Sequence, residues 1–227
     1  RDRYYTIGHP IEAQNLQHLQ YGTSGALTLT LSFYVKSSLT GTFGFSIYKP
    51  DNTERVIART YTISSADTWE KKTITMAGDT SIAINNDNGG GMYFYWLMGG
   101  GTDWNSGAST TEWANYGSGN TWFQASATNN IVTTANATWQ LTGVQLEIGD
   151  VATPFEHEDY ATTLRKCKRY YELLDTTVYP TKYSTVSLGN FFWTEQKRAE
   201  PTLSVDTNAV SFSLYTEQNS GGYIYKS

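Results

Sequence analysis

Residues 27–35 alternate strictly. Leu27, Leu29, Leu31, Phe33 and Val35 share one phase, and Thr28, Thr30, Ser32 and Tyr34 share the other. A period of two is the mark of a strand with one face on a core, so the first set is expected to point inward. The same alternation predicts strands over 43–48, 55–63, 70–76, 81–84, 92–98, 121–125 and 139–148. Turn-rich clusters such as KPDNT, SSADT and NNDNGGG separate them.

In the last of these strands Trp139 and Leu141 share one phase, while Val144, Leu146 and Ile148 share the other. One extra residue flips a strand's register, so a bulge near Gly143 would let both groups face inward. Many short strands with this punctuation predict an all-β fold, an antiparallel sandwich of jelly-roll type. Between 159 and 174 the period becomes helical. Cys167 follows Leu164 by three and precedes Tyr171 by four, on one face with Leu174, and reads as a small buried residue. From 179 to 227 the pattern returns to strands, with apolar pairs at Val186 and Leu188, at Leu203 and Val205, and at Val210, Phe212 and Leu214. About fifty residues in short strands make a thin core, for which packing against copies of the same chain would supply the missing burial.

Composition narrows the picture. Aromatic residues reach 15%, including 17 Tyr and 7 Trp, against 16% charged residues. That argues against intrinsic disorder and suits polar recognition surfaces, since a Tyr or Trp ring couples contact area to a hydrogen-bonding tip. With 16 basic and 21 acidic side chains the formal charge is −5, which argues against nucleic acid as a partner. The dense basic run Arg165, Lys166, Lys168 and Arg169 reads as a solvated helix face. A single cysteine excludes an internal disulfide, and His9, His18 and His157 form no evident pair for a thiol nucleophile. No apolar run approaches the ~18 residues of a membrane span. The chain opens on Arg1 and closes on the strand-like GGYIYKS, so a piece of a longer polypeptide is expected.

Residues 138–172, TWQLTGVQLEIGDVATPFEHEDYATTLRKCKRYYE, carry a family resemblance. They resemble the junction of many tailed-phage fibre and receptor-binding proteins, where a jelly-roll module closes on "GVQLE.G..ATPFE" and passes to a "C.RYY" helix. The matching positions are 143–147, 152–156, Cys167, Arg169, Tyr170 and Tyr171. Upstream, residues 27–49 and 68–80 are similar to strands of that jelly roll. Downstream, KRAEPTLSV (197–205) is similar to the Arg-Ala-x-Pro-Thr strand of its tip.

The resemblance implies three parts: a jelly-roll, carbohydrate-binding-like domain over 1–156, a linking helix over 157–176, and a β tip over 177–227. It also implies a virion tail-fibre location, a homotrimer, other virion tail proteins as partners, and non-catalytic adhesion to a host surface glycan or envelope receptor. No enzyme activity, cofactor, metal or membrane insertion is expected. A structural virion segment, or a carbohydrate-binding module of a polysaccharide-degrading enzyme, are the alternatives.

The segment 99–120, GGTDWNSGASTTEWANYGSGN, matches nothing in that family. Its Trp104, Trp113 and Tyr116 lie among Asp103, Asn105, Glu112 and Asn115. Sugars offer apolar C–H faces to aromatic planes, and their hydroxyls need amide or carboxylate partners. Trp104, Trp113 and Tyr116 are therefore expected to stack on a glycan, with Asp103, Asn105 and Asn115 reaching its hydroxyls. The opposing reading is that these rings pin the loop to the sandwich or to a neighbouring subunit. The 85–91 loop has oxygen ligands at short spacing but lacks the alternating Asp pattern of a calcium loop, and reads as a turn. The Asn136-Ala137-Thr138 sequon carries no meaning in a bacterially made protein. Glu147, Asp150, Glu156, Glu158 and Asp159 read as linker and capping residues rather than a hydrolytic pair.

Overall fold

A computed structural model describes residues 4–100, 112–117, 123, 127, 129–172, 181–183, 186–191, 193–199, 212–217 and 221–226. The chain divides into two units, Arg1–Glu156 and His157–Ser227.

The first unit is an antiparallel β-sandwich. Its strands are β1 (Tyr4–Glu12), β2 (Leu29–Ser37), β3 (Gly41–Lys49), β4 (Arg55–Ile63), β5 (Glu70–Met76), β6 (Gly90–Gly100), β7 (Ala114–Asn115) and β8 (Trp139–Ile148). Five strands form one sheet in the order β1-β6-β3-β4-β7, and three form the other in the order β5-β2-β8. The alternation read in β2 places Leu29, Leu31, Phe33 and Val35 in the core, each at most 1% exposed. They meet Phe43, Phe45 and Ile47 of β3, and Phe94 and Trp96 of β6. Phe33 sits edge-on to both Tyr61 and Trp96, at centroid distances of 5.2 and 5.8 Å. Burying one such ring contributes roughly 2–3 kcal/mol, so this aromatic centre dominates the packing.

Two elements escape a period-two reading. Strand β1 pairs with β6, yet Ile7, opposite buried Trp96, lies exposed at the sheet edge, and a register shift between Tyr5 and Thr6 breaks the alternation. A 3₁₀ segment, Ala13–Leu19, follows it. Three residues per turn put Ala13, Leu16 and Leu19 on one buried face.

The predicted strand over 81–84 is a correction. The backbone there bonds to side chains instead of a ladder: Ser81 N–H donates to Asp79 Oδ1, and the Ile82 carbonyl accepts from the Lys49 ammonium. The 85–91 loop is likewise closed by internal bonds. Asn85 N–H donates to Asp51 Oδ2, and Gly89 N–H to Asp87 Oδ1.

The β2–β8 register slips between Ser32 and Tyr34, opposite Gly143, which adopts φ +57°. The expected bulge is there, but its consequence is partial. Trp139, Leu141 and Leu146 pack on the core, whereas Val144 and Ile148 are exposed, because β8 is an edge strand. Beyond β8 the chain folds back along the strand. Gln145 Nε2 donates to Thr153 Oγ1, Gln145 Oε1 accepts from Glu156 N–H, and Glu147 Oε2 accepts from Thr153 N–H. Gln145 and Glu147, two apart and on one face, thus clamp the 151–156 exit. That supplies a physical reason for the Q-L-E spacing.

In the second unit, helix α1 spans Tyr160–Lys168, shorter than the predicted 159–174. Asp159 caps it, its side chain accepting from Thr162 N–H, and that bond holds the carboxyl below its ordinary range. The C-terminal end is tied down by Glu172, which receives hydrogen bonds from Lys197 and from Thr194. Burial alone would raise the Glu172 carboxyl, but these donors outweigh it and hold it at about 2. Cys167, expected buried, is exposed. Strands β9 (Thr181–Tyr183), β10 (Val186–Phe191), β11 (Phe212–Glu217) and β12 (Gly221–Lys226) form an antiparallel sheet in the order β11-β12-β10-β9. Leu174, Leu203, Val205 and Val210 lie outside the described residues. No helix among the described residues is long and apolar enough to cross a membrane.

Replacing Gly143 by alanine forces an L residue into a left-handed backbone and puts a Cβ 3.1 Å from the Tyr34 ring. The expected cost is about 1–2 kcal/mol, read as a lower urea midpoint. An unchanged midpoint would show that the bulge does not depend on glycine.

Candidate functional site

Where β3, β4 and β7 meet the 77–82 segment, the sandwich encloses a group of charges. Lys49, fully buried, reaches Asp79, 1% exposed, at 2.8 Å. Arg55 approaches the same carboxylate, with Nε 3.2 Å from Oδ2 and an Nη 3.3 Å from Oδ1. Burial alone would raise the Asp79 carboxyl. Hydrogen bonds from Lys49, Ser81 N–H and Arg55 outweigh it and hold the group ionised, below its ordinary range. One carboxylate with two cations and a backbone donor has its lone pairs filled, the condition under which a buried charge is tolerated.

This cluster fixes the start of the described part of the long loop. Arg55 donates to the Trp113 carbonyl at 2.9 Å and to Asn115 Oδ1 at 2.7 Å. Trp113 turns inward: its Nε1 donates to the Ala77 carbonyl at 2.9 Å, and its ring sits edge-on to Tyr21. The Lys49 ammonium lies 5.7 Å from the Tyr21 ring and 5.9 Å from the Trp113 ring, within cation–π range. Tyr116 turns the other way, its N–H donating to the Glu54 carbonyl at 2.9 Å.

On the outer face of the five-stranded sheet, Tyr116 joins a row of tyrosines. Tyr93 and Tyr95 are two apart on β6, in the phase opposite buried Met92, Phe94 and Trp96, and their rings stack at 6.1 Å and 16°. Tyr48 of β3 pairs in register with Tyr93, its ring 6.1 Å away. The Tyr116 ring stands edge-on to Tyr48 at 6.1 Å. All four are half-buried. Leu97, Phe123 and Ala127 form a small apolar cluster against which Tyr48, Tyr95 and Tyr116 pack. Tyr48 Oη donates to Glu54 Oε1 at 2.7 Å. Partial burial, then the Glu54 carboxylate, push the Tyr48 phenol well up, and burial does the same for Tyr95. These phenols stay neutral and keep a hydrogen-bonding tip. The row can therefore offer apolar ring surface together with hydroxyls and a carboxylate.

Of the residues the sequence nominated, Tyr116 lies at this row. Asn115 does not: it pairs in register with Arg55 and its Oδ1 accepts from that guanidinium, so it belongs with the inner charge cluster. Trp113 does not: at 8% exposure its ring has no open face for a ligand, so it leaves the stacking set and serves as the loop's anchor. Trp104, Asp103 and Asn105 lie outside the described residues. Tyr48, Tyr93, Tyr95 and Glu54 were missed. A signal existed, since Tyr93 and Tyr95 occupy the outward phase of an otherwise apolar strand. Among the described residues no cluster of His, Cys, Asp or Glu could hold a metal ion. Neither a family model, nor a curated protein, nor a solved structure matches this chain.

Asp79→Ala leaves buried Lys49 and half-buried Arg55 without their acid, so a loss of about 3–5 kcal/mol is expected. Lys49→Met costs less, because Arg55 still neutralises Asp79. The folded carboxyl titrates below the unfolded one, so its contribution is complete above about pH 4 and is lost as pH falls through the depressed value. In chemical unfolding, the difference between wild type and Asp79→Ala should shrink below about pH 4. A pH-independent difference would assign the loss to packing alone.

Proposed function

We propose that this chain is the distal, receptor-binding part of a tailed-phage fibre, adhering without catalysis to a bacterial surface glycan. The single observation that carries the glycan-binding part is the outward row Tyr95–Tyr93–Tyr48–Tyr116. A row of rings with centroids near 6.1 Å apart, inclined to one another by 16°, 49° and 79°, offers a corrugated aromatic surface to the C–H faces of successive sugars. Glu54, bonded to Tyr48, suits their hydroxyls. The virion part rests on the GVQLE–ATPFE–CxRYY resemblance, and the clamp of the 151–156 exit by Gln145 and Glu147 gives that resemblance a structural sense. Sheets that share strands from along the whole of 1–156, with β1, β3, β4 and β6 in one and β2, β5 and β8 in the other, suit the jelly-roll reading.

Three copies on one axis would repeat the row three times. Weak single-site contacts would then become firm attachment through effective concentration. Sugar specificity would be shared with the part of the loop that holds Asp103, Trp104 and Asn105.

The double variant Tyr93→Ala/Tyr95→Ala should lose at least tenfold in affinity on an array of bacterial surface glycans, about 1.4 kcal/mol, while its circular dichroism stays native. Undiminished binding by the folded variant would remove the row from the proposal. Cleavage of a bound glycan by purified protein would overturn the non-catalytic reading.

A further inference from the structure

Among the described residues, the outer face of the five-stranded sheet carries a carboxylate and no cation to match it. Glu54 is exposed, and its Oε1 accepts from Tyr48 Oη at 2.7 Å. Nothing among the described residues bonds to its Oε2. Arg55, next in sequence, is committed elsewhere, to Asp79, the Trp113 carbonyl and Asn115. Register explains the imbalance. On β4, Arg55 and Arg59 pair with Lys49 and Phe45 and so share the inward phase, while Val56, Ala58 and Thr60 take the outward one. In the described parts of β1, β3, β4 and β6, no position in the phase of Tyr48, Tyr93 and Tyr95 holds Lys, Arg or His.

A carboxylate oxygen free beside aromatic rings is half of a cation site, and the rings supply the other half. The π face of a tyrosine attracts an ammonium within about 6 Å of its centroid. Tyr48 stands between Tyr93, inclined to it by 49°, and Tyr116, inclined by 79°, each with its centroid 6.1 Å away. One ammonium can lie within range of two such rings at once, and inclined rings can meet it from different sides. The free oxygen selects the kind of cation. A quaternary ammonium has no N–H to give Glu54, whereas a primary ammonium gives it a charge-assisted hydrogen bond and keeps the ring contacts. An acidic sugar would bring its own charge against the same carboxylate.

We infer that the tyrosine row takes a glycan bearing a free primary amine, an amino sugar that is not acetylated, with its ammonium set between the Glu54 carboxylate and the rings of Tyr48 and Tyr116. The inference deepens the glycan-binding part of the proposed function and rests on it. It adds the class of sugar and the residue that selects it.

The experiment is calorimetric titration with oligosaccharides of glucosamine and of galactosamine. Each is used with free and with acetylated amines at about pH 6, where such an amine is protonated. Expected is a free-amine form that binds about tenfold tighter than its acetylated partner, a preference that Glu54→Gln removes. The amide oxygen of the variant still accepts from Tyr48 Oη, so its circular dichroism stays native. Equal affinity for the two forms, preference for the acetylated one, or a preference that survives Glu54→Gln overturns the amine inference. The glycan reading stands in those cases if Tyr93→Ala/Tyr95→Ala still weakens binding. Failure of every free-amine form to bind also overturns the inference, and the glycan reading is then decided on the array of surface glycans.

Discussion

One buried carboxylate organises the described end of the sandwich. Asp79 is nearly without solvent, and an ionised acid in that position survives only if its charge is balanced and its oxygens are filled. Lys49, Arg55 and Ser81 N–H do both. Because Arg55 also holds the Trp113 carbonyl and Asn115 Oδ1, the same constraint fixes which way the loop enters its short strand. Trp113 goes inward and Tyr116 outward. Tyr116 joins the outer tyrosine row beside that inner anchor, so a core electrostatic requirement helps position the outer aromatic face.

The junction after the sandwich uses weaker, exposed interactions to a similar end. Gln145 and Glu147 sit on β8 at the spacing that puts two side chains on one face, and from there they hold the returning 151–156 segment. Within the second unit, Glu172 gathers Lys197, Thr194 and Lys168 and so ties the end of α1 to the segment after β10. In both places the polar residues of the recognisable motifs turn out to be clamps.

The sequence made the strands legible wherever both faces had distinct environments. Strands β4, β5 and β8 coincide with the alternation, and the bulge at Gly143 follows from the phase change between Leu141 and Val144. Edges obscured the rest. β1 carries exposed Ile7 in its inward phase and slips register after Tyr5, and the 3₁₀ segment has a period that neither the strand nor the α-helix template matches. For the candidate site, nearness in sequence misled. Trp113 and Tyr116 are three residues apart yet serve opposite faces, while Tyr116 belongs with Tyr48 and Tyr93, which only the sheet register brings together. Cys167 was expected buried because it shares a helix face with Leu164, but spacing alone does not show that a face is covered, and Cys167 is exposed.

The central claim is that sugar rings lie on the outward tyrosines. The most direct measurement is the aromatic NMR spectrum of tyrosine-labelled protein titrated with a glycan selected from a bacterial surface panel. The account predicts chemical-shift changes at the rings of Tyr48, Tyr93, Tyr95 and Tyr116, with the buried Tyr21 and Tyr61 unmoved. Saturable binding that leaves those four rings unshifted would contradict it.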